Sequence, residues 1–277
     1  MSKRREHNRR KRSSNFSFSN IVPWFFGSLL IAGIVGYMII RPSAVNQKTF
    51  CDDKGNIPGV TVLLIDVSDK LSNSQKARLN NELINISNTS SNRTEAILNK
   101  GEKLVVYFVE EEGIKPSLAF SMCHPGDIAK RNLLEKFSEG ESFAKKKWEK
   151  FSKDTSTEIN NKISQTSAIG TSPIIETIQF IRSKEFPPPS LINQNSNYNL
   201  IIWSDMIQNS EISNHFKEIN DYKKVLKENP LILNEIKVSV FQLMSKKYIK
   251  YQTDNQLMWW RKVFASSKAN LNLWELL

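Results

Sequence analysis

Val60-Thr-Val-Leu-Leu-Ile65 runs apolar or β-branched, without alternation, straight into Asp66, and Ser68 follows two positions on. A strand that is apolar on both faces fits the interior of a sheet covered on both sides, as parallel sheets are. An acidic residue at the carboxyl end of such a strand lies where open α/β sheets place their binding crevice.

The pattern on either side of this strand alternates helix and strand. Residues 72–86 read as an amphipathic helix with Ala77, Leu79, Leu83, Ile84 and Ile86 on its apolar side and Ser72 or Ser74 as cap. Lys103–Val109 reads as a second strand, and Ser117–Met122 as a third, antiparallel one, because so short a connection permits only a hairpin. Residues 126–168 are charged and helical, with Leu133, Leu134, Phe137, Phe143, Trp148 and Phe151 as buried candidates. Gly170-Thr171-Ser172-Pro173 breaks the chain, and Pro173 suits the first turn of a helix Ile174–Ile181 capped by Ser172. A fourth strand, Asn199–Trp203, ends in Ser204-Asp205. Lys237–Met244 is a fifth strand, Asp254–Ala269 a helix, and Leu271–Trp274 an edge strand. Adjacent Trp259 and Trp260 cannot both face inward on an isolated helix, so one is expected at the surface.

Ahead of this unit lies Ile21–Ile40, 20 residues without a charge, bounded by Arg41. That is close to the ~20 residues needed to cross a ~30 Å hydrocarbon core. Trp24 and Tyr37 stand near its ends, as interfacial aromatics do. A cleaved signal peptide would have a shorter apolar core and a small-residue cleavage site, and neither is present. The first twenty residues hold seven Lys/Arg against Glu6, so they carry +6 of the formal +11. The basic character is therefore mostly that of an arm, and no nucleic-acid surface is expected on the rest. A basic arm stays in the cytoplasm and sends the remainder across. The expected organisation is a basic disordered cytoplasmic arm (1–20), a transmembrane helix (21–41), a linker (42–58) and a folded domain (59–277). The expected setting is a bacterial inner membrane with the domain in the periplasm.

If the strands are parallel and neighbouring, three loops bring oxygen donors to one sheet edge: Asp66-x-Ser68, Thr171-Ser172 and Asp205. Oxygen-only donor sets suit hard divalent cations. A strand ending in Asp-x-Ser, a Thr on a separate loop and a later strand ending in Ser-Asp resembles the von Willebrand factor A-type domain. The resemblance covers residues 58–277. It implies a Rossmann-like, three-layer α/β fold, mostly parallel with one antiparallel edge strand. It also implies a Mg²⁺ or Mn²⁺ ion touched by Ser68 and Thr171, or Ser172, and held through water by Asp66 and Asp205. An acidic side chain of a protein partner in a membrane assembly would complete the shell. The motif departs from the family at Lys70, where metal-binding members carry a second Ser. An ammonium has no lone pair and cannot be a ligand, leaving Asp69 to compensate by charge. A second reading stays open, in which Ser68, Asp69 and Ser72 merely cap the following helix.

Other chemistries lack their parts. Phosphotransferases of the haloacid dehalogenase type need an Asp where Ser68 stands. No Gly-rich phosphate loop follows a strand. His7, His124 and His215 show neither triad nor zinc spacing, so no enzyme is expected. Cys51 precedes the first strand and Cys123 ends the third, at the edge opposite Asp66. Outside the cytoplasm they are placed to pair, with two free buried thiols as the alternative.

Overall fold

The computed structural model describes residues 21–40, 45–87, 98–111, 115–126, 131, 133–165, 170–192, 197–217 and 219–277. Within the first helix, side chains are described for residues 27–36. The chain divides into two units, Met1–Pro42 and Ser43–Leu277. The first contains helix α1, Ile21–Ile40. Among the described residues, no helix is long and apolar enough to cross a membrane. The expected arm lies outside the described residues.

The second unit is built on one six-stranded sheet. Its strands are β1 (Gly59–Ile65), β2 (Lys103–Phe108), β3 (Ser117–Cys123), β4 (Asn197–Ser204), β5 (Lys237–Gln242) and β6 (Asn270–Leu276). They lie in the order β3-β2-β1-β4-β5-β6. All neighbours are parallel except β2 and β3. This is a mixed α/β sheet of the Rossmann-like type, and it fits the von Willebrand A-type arrangement.

Every residue of β1 is buried, as its lack of alternation requires. Val60, Val62 and Leu64 face one layer with Val105, Tyr107, Leu200, Ile202, Val238 and Val240. Leu63 and Ile65 face the other with Leu104, Val106, Phe108, Ile201, Trp203 and Phe241. On the first face pack α5 (Ile174–Glu185), α6 (Tyr222–Glu228) and α7 (Asp254–Ser266). On the second pack α2 (Asn73–Ser87), through Leu79, Leu83 and Ile86, and α4 (Glu141–Gln165), through Phe151, Ile159 and Ile163. Burying a side chain of this kind contributes roughly 1.5–3 kcal/mol.

The helical stretch after β3 is two helices, α3 (Leu133–Ser138) and α4, separated at Gly140. Phe151 is fully buried, but Leu133 is 73% and Phe143 51% exposed. The side chains of Leu134 and Phe137 lie outside the described residues. Both tryptophans of α7 are buried, against the expectation that one is exposed. The loop after β4 covers the second side: the Trp259 indole donates to the Asn220 carbonyl and that of Trp260 to the Met206 carbonyl, each at 2.6 Å.

Cys51 and Cys123 form a disulfide, with Cα atoms 4.9 Å apart. Residues 45–52 are held to the sheet unit beside it. Phe50 is buried, and the Cys123 N–H donates to the Thr49 carbonyl at 2.7 Å.

Candidate functional site

Strand order reverses between β1 and β4, so the loops after these strands diverge and leave a crevice at their carboxyl ends. Asp66 leaves β1 there, its N–H donating to the Trp203 carbonyl at 2.8 Å. Its carboxylate gathers three donors. The Ser68 N–H reaches Oδ1 at 2.9 Å, and the hydroxyls of Ser172 and Ser204 both reach Oδ2 at 2.8 Å. One side chain thereby ties together the ends of β1 and β4 and the loop before α5.

The local sequence explains how Ser172 is available for this. It was expected to cap α5, yet the helix start has no side-chain cap from its own loop. Gln208, from the loop after β4, accepts from the Ile175 N–H at 3.0 Å instead. The Gln208 amide also donates to Glu176 at 2.9 Å and to Ser210 at 2.7 Å. Ser172 and Asn209 exchange two backbone hydrogen bonds, at 2.9 and 3.0 Å. The second loop therefore caps the helix, and the Ser172 hydroxyl turns to Asp66.

Beyond Ser204 the backbone kinks. Met206 has φ +60°, a left-handed conformation unusual for a residue with a Cβ. The kink is over-determined. The Met206 N–H donates to Ser204 Oγ at 2.8 Å, and its carbonyl accepts from Gln256 at 2.5 Å as well as from Trp260. Asp205 is held at the bend, accepting from the Ile207 N–H at 2.9 Å. Burial, and then the charge of Asp66, push the Asp205 carboxyl well above the usual carboxylate range, with a smaller push from Asp69.

Outside these residues opens a cavity of about 530 Å³. Asp66, Ser68, Asp69 and Asp205 form its acidic, oxygen-rich side, and Lys70 and Lys246 add two ammonium groups. Asp69 accepts from Ser245 Oγ at 2.9 Å and from the Lys70 N–H at 2.9 Å. The capping alternative holds for Ser72 alone. Ser72 Oγ accepts from the Gln75 N–H at 3.2 Å, and Gln75 Oε1 accepts from the Ser72 N–H at 3.0 Å. That is a reciprocal capping box. Ser68 and Asp69 take no part in it.

Of the expected donors, the fold brings Asp66, Ser68, Asp69, Asp205 and Ser172 to one edge. Thr171 is half-buried and, like Ser172, does not line the cavity. Ser204 was overlooked, because Ser204-Asp205 was read for its acid alone. Ser245 and Gln252 were also overlooked. Gln252 donates to the Asp205 carbonyl at 3.1 Å and to the Leu243 carbonyl at 2.7 Å, from a loop that offers no pattern in sequence.

The donor chemistry fits a hard divalent cation. Two carboxyl groups, Asp66 and Asp205, are buried at the same edge and close enough for the charge of Asp66 to raise the pKa of Asp205, and a hydroxyl that donates its proton to Asp66 keeps its lone pairs. Among the described residues, no group of three or more His, Cys, Asp or Glu is placed to hold a metal. An ion here would rest on Asp66, Ser68 and Asp205, which line the cavity, and on water.

Neither a protein-family model nor a curated protein matches the chain. It is similar to solved structures of proximal thread matrix protein 1 from the mussel byssus. One crystal form shares 11% identity over 76% of this chain and 48% of that chain, with a TM-score of 0.34. The form with a zinc-occupied MIDAS motif shares 12% identity over 78% of this chain and 49% of that one, with a TM-score of 0.31. The chain spans about half the length of the proteins it matches. So loose a likeness adds nothing to the strand order given above.

Proposed function

We propose that this chain is a membrane-anchored, von Willebrand A-like binding or scaffold protein that engages an acidic group of a protein partner through Mg²⁺ or Mn²⁺ at the sheet edge. The observation that supports it most is the meeting of Ser172, Ser204 and the Ser68 N–H at Asp66, with Asp205 beside it, at the floor of an open cavity. Asp66, Ser68 and Asp205 would hold the ion, which would supply the positive charge that a partner carboxylate needs. The role includes no chemical step.

The anchor is supported by the uncharged run and the helix over Ile21–Ile40. Of the side chains described there, Leu29, Leu30, Ile31, Ile34 and Val35 are exposed, an apolar surface that water does not stabilise. In this reading the arm stays in the cytoplasm of a bacterium and the sheet unit lies in the periplasm, where the disulfide is stable. A reporter fused at Leu277 is then active in the periplasm; activity in the cytoplasm alone reverses the topology.

A second reading is favoured by Lys70, which stands where a ligand hydroxyl belongs, and by the three donors that already satisfy Asp66. In it the knot is purely structural and the chain is a metal-free component of a membrane complex. Mn²⁺ titration of the full chain in detergent micelles, followed by electron paramagnetic resonance, separates the two. Saturable binding that Asp66→Asn abolishes supports the metal site, and binding indifferent to that substitution removes it.

A further inference from the structure

The loop between β5 and α7 carries Lys246-Lys247-Tyr248-Ile249-Lys250-Tyr251 and no acidic residue from Ser245 to Thr253. It is an ordered structure rather than a loose tip. Successive turns bond the Tyr248 N–H to the Ser245 carbonyl at 3.0 Å, that of Tyr251 to Tyr248 at 2.8 Å and that of Gln252 to Ile249 at 3.2 Å. Phe216, from the loop after β4, packs against Tyr248 at 5.2 Å and against Tyr251 at 4.8 Å between ring centres. Gln252 and Ser245 fasten the base of the loop to Asp205 and Asp69. Lys246, Lys247, Ile249 and Lys250 are exposed, Ile249 by 53%. Lys246 and Lys70 also line the cavity.

From this rim we infer that the partner presents an acidic peptide segment with interspersed apolar side chains, docking across the Lys246–Tyr251 loop into the cavity. The inference deepens the binding reading. It rests on that reading for the cleft but not for the ion. Charge complementarity carries it: Lys70 and Lys246 stand on the cavity wall, exposed Lys247 and Lys250 continue the positive charge along the loop, and the cavity's own carboxylates are already bonded inward. Apolar partner side chains find Ile249 outside and Leu71, Leu243 and Met244 on the cavity wall. A nucleic acid fits less well. Single-stranded chains need free aromatic faces for stacking, and here Lys247 lies 4.5 Å from the Tyr248 ring centre and Lys250 lies 4.7 Å from that of Tyr251. Pre-ordered aromatic and basic groups lower the ordering cost of docking.

The test uses the full chain in detergent micelles and a fluorescein-labelled (Glu-Glu-Leu)4 peptide, read by anisotropy in EDTA at low salt. The expected result is saturable binding that weakens with added salt and falls at least about tenfold when Lys246, Lys247 and Lys250 are all changed to Glu. Changing the three to Gln gives an intermediate loss. Replacing Arg9, Arg10, Lys11 and Arg12 of the arm by Gln leaves the affinity in place. Equal binding of (Lys-Lys-Leu)4 overturns the inference. So does unchanged affinity in the Glu variant, loss with the arm variant instead, or loop-dependent binding of phosphatidylserine vesicles without binding of the peptide. Mn²⁺ binding by the Glu variant is read alongside. Peptide binding in EDTA stands if the ion fails to bind, and ion binding stands if the peptide fails.

Discussion

At Asp66 three donors meet on one buried carboxylate, and each holds a different piece of chain. Ser172 is the most instructive, because its partner lies 106 residues away. Ser172→Ala leaves the loop backbone in place and removes a buried bond to a charged group. The expected cost is roughly 1.5–3 kcal/mol in chemical denaturation of the full chain; a loss below about 0.5 kcal/mol, typical of a surface change, contradicts the assigned role. Sequence could not assign it. Ser before Pro at a helix start reads as a cap, and that role went to Gln208, which lies 33 residues beyond the Ile175 N–H it accepts from. Asp66 was legible for the opposite reason, since it is fixed by its own strand. His215 is another residue whose setting is tertiary. It lies edge-on to Trp259 at 4.7 Å, with both ring nitrogens buried and unbonded within the described structure. Burial lowers its pKa from 6.5 to about 4. The unfolded chain takes up this proton first as pH falls, so stability is lost between pH 6.5 and 4, by about 3 kcal/mol in full. Denaturation at pH 7 and at pH 4.5 measures it. His215→Phe removes that part of the slope, and an unchanged slope assigns it elsewhere.

Elements fixed by local pattern were the readable ones. β1 announces itself because both of its faces are apolar, and the short connection between β2 and β3 dictates the antiparallel pair. What failed was the exposure of single side chains, as with Leu133, Phe143 and Trp259, where a neighbouring element decides. The β1–β4 junction offers a test of element packing. A Cβ on Gly59 would lie 2.5 Å from the Asn197 carbonyl oxygen and 3.1 Å from the Glu102 carboxylate, in the backbone pairing itself. Gly59→Ala is expected to destabilise by roughly 1–3 kcal/mol through overpacking. A neutral result in denaturant titration means that the strands can separate there without loss.

Across the whole sheet unit, the disulfide closes 72 residues, including β1, α2 and β2. Chain-entropy reasoning puts its contribution near about 4 kcal/mol, so reduction lowers the melting temperature of the full chain markedly. No shift on reduction shows that the unfolded chain is not constrained by it. The same unit carries the central claim, that the sheet edge is built around a divalent cation. Asp205 tests it most directly, because its carboxyl is raised by burial beside Asp66. The folded chain therefore holds a proton that the unfolded chain releases. In EDTA this part of the stability is present at low pH and is lost as pH rises through the folded pKa. A bound cation reverses the preference. The decisive measurement is the melting temperature of the full chain and of Asp205→Asn, in EDTA and in excess Mg²⁺ or Mn²⁺. The metal account predicts that the ion raises the parent's melting temperature and leaves Asp205→Asn, which melts at or above the parent in EDTA, unmoved. A parent that ignores the ion, or a variant that gains as much from it, contradicts the account.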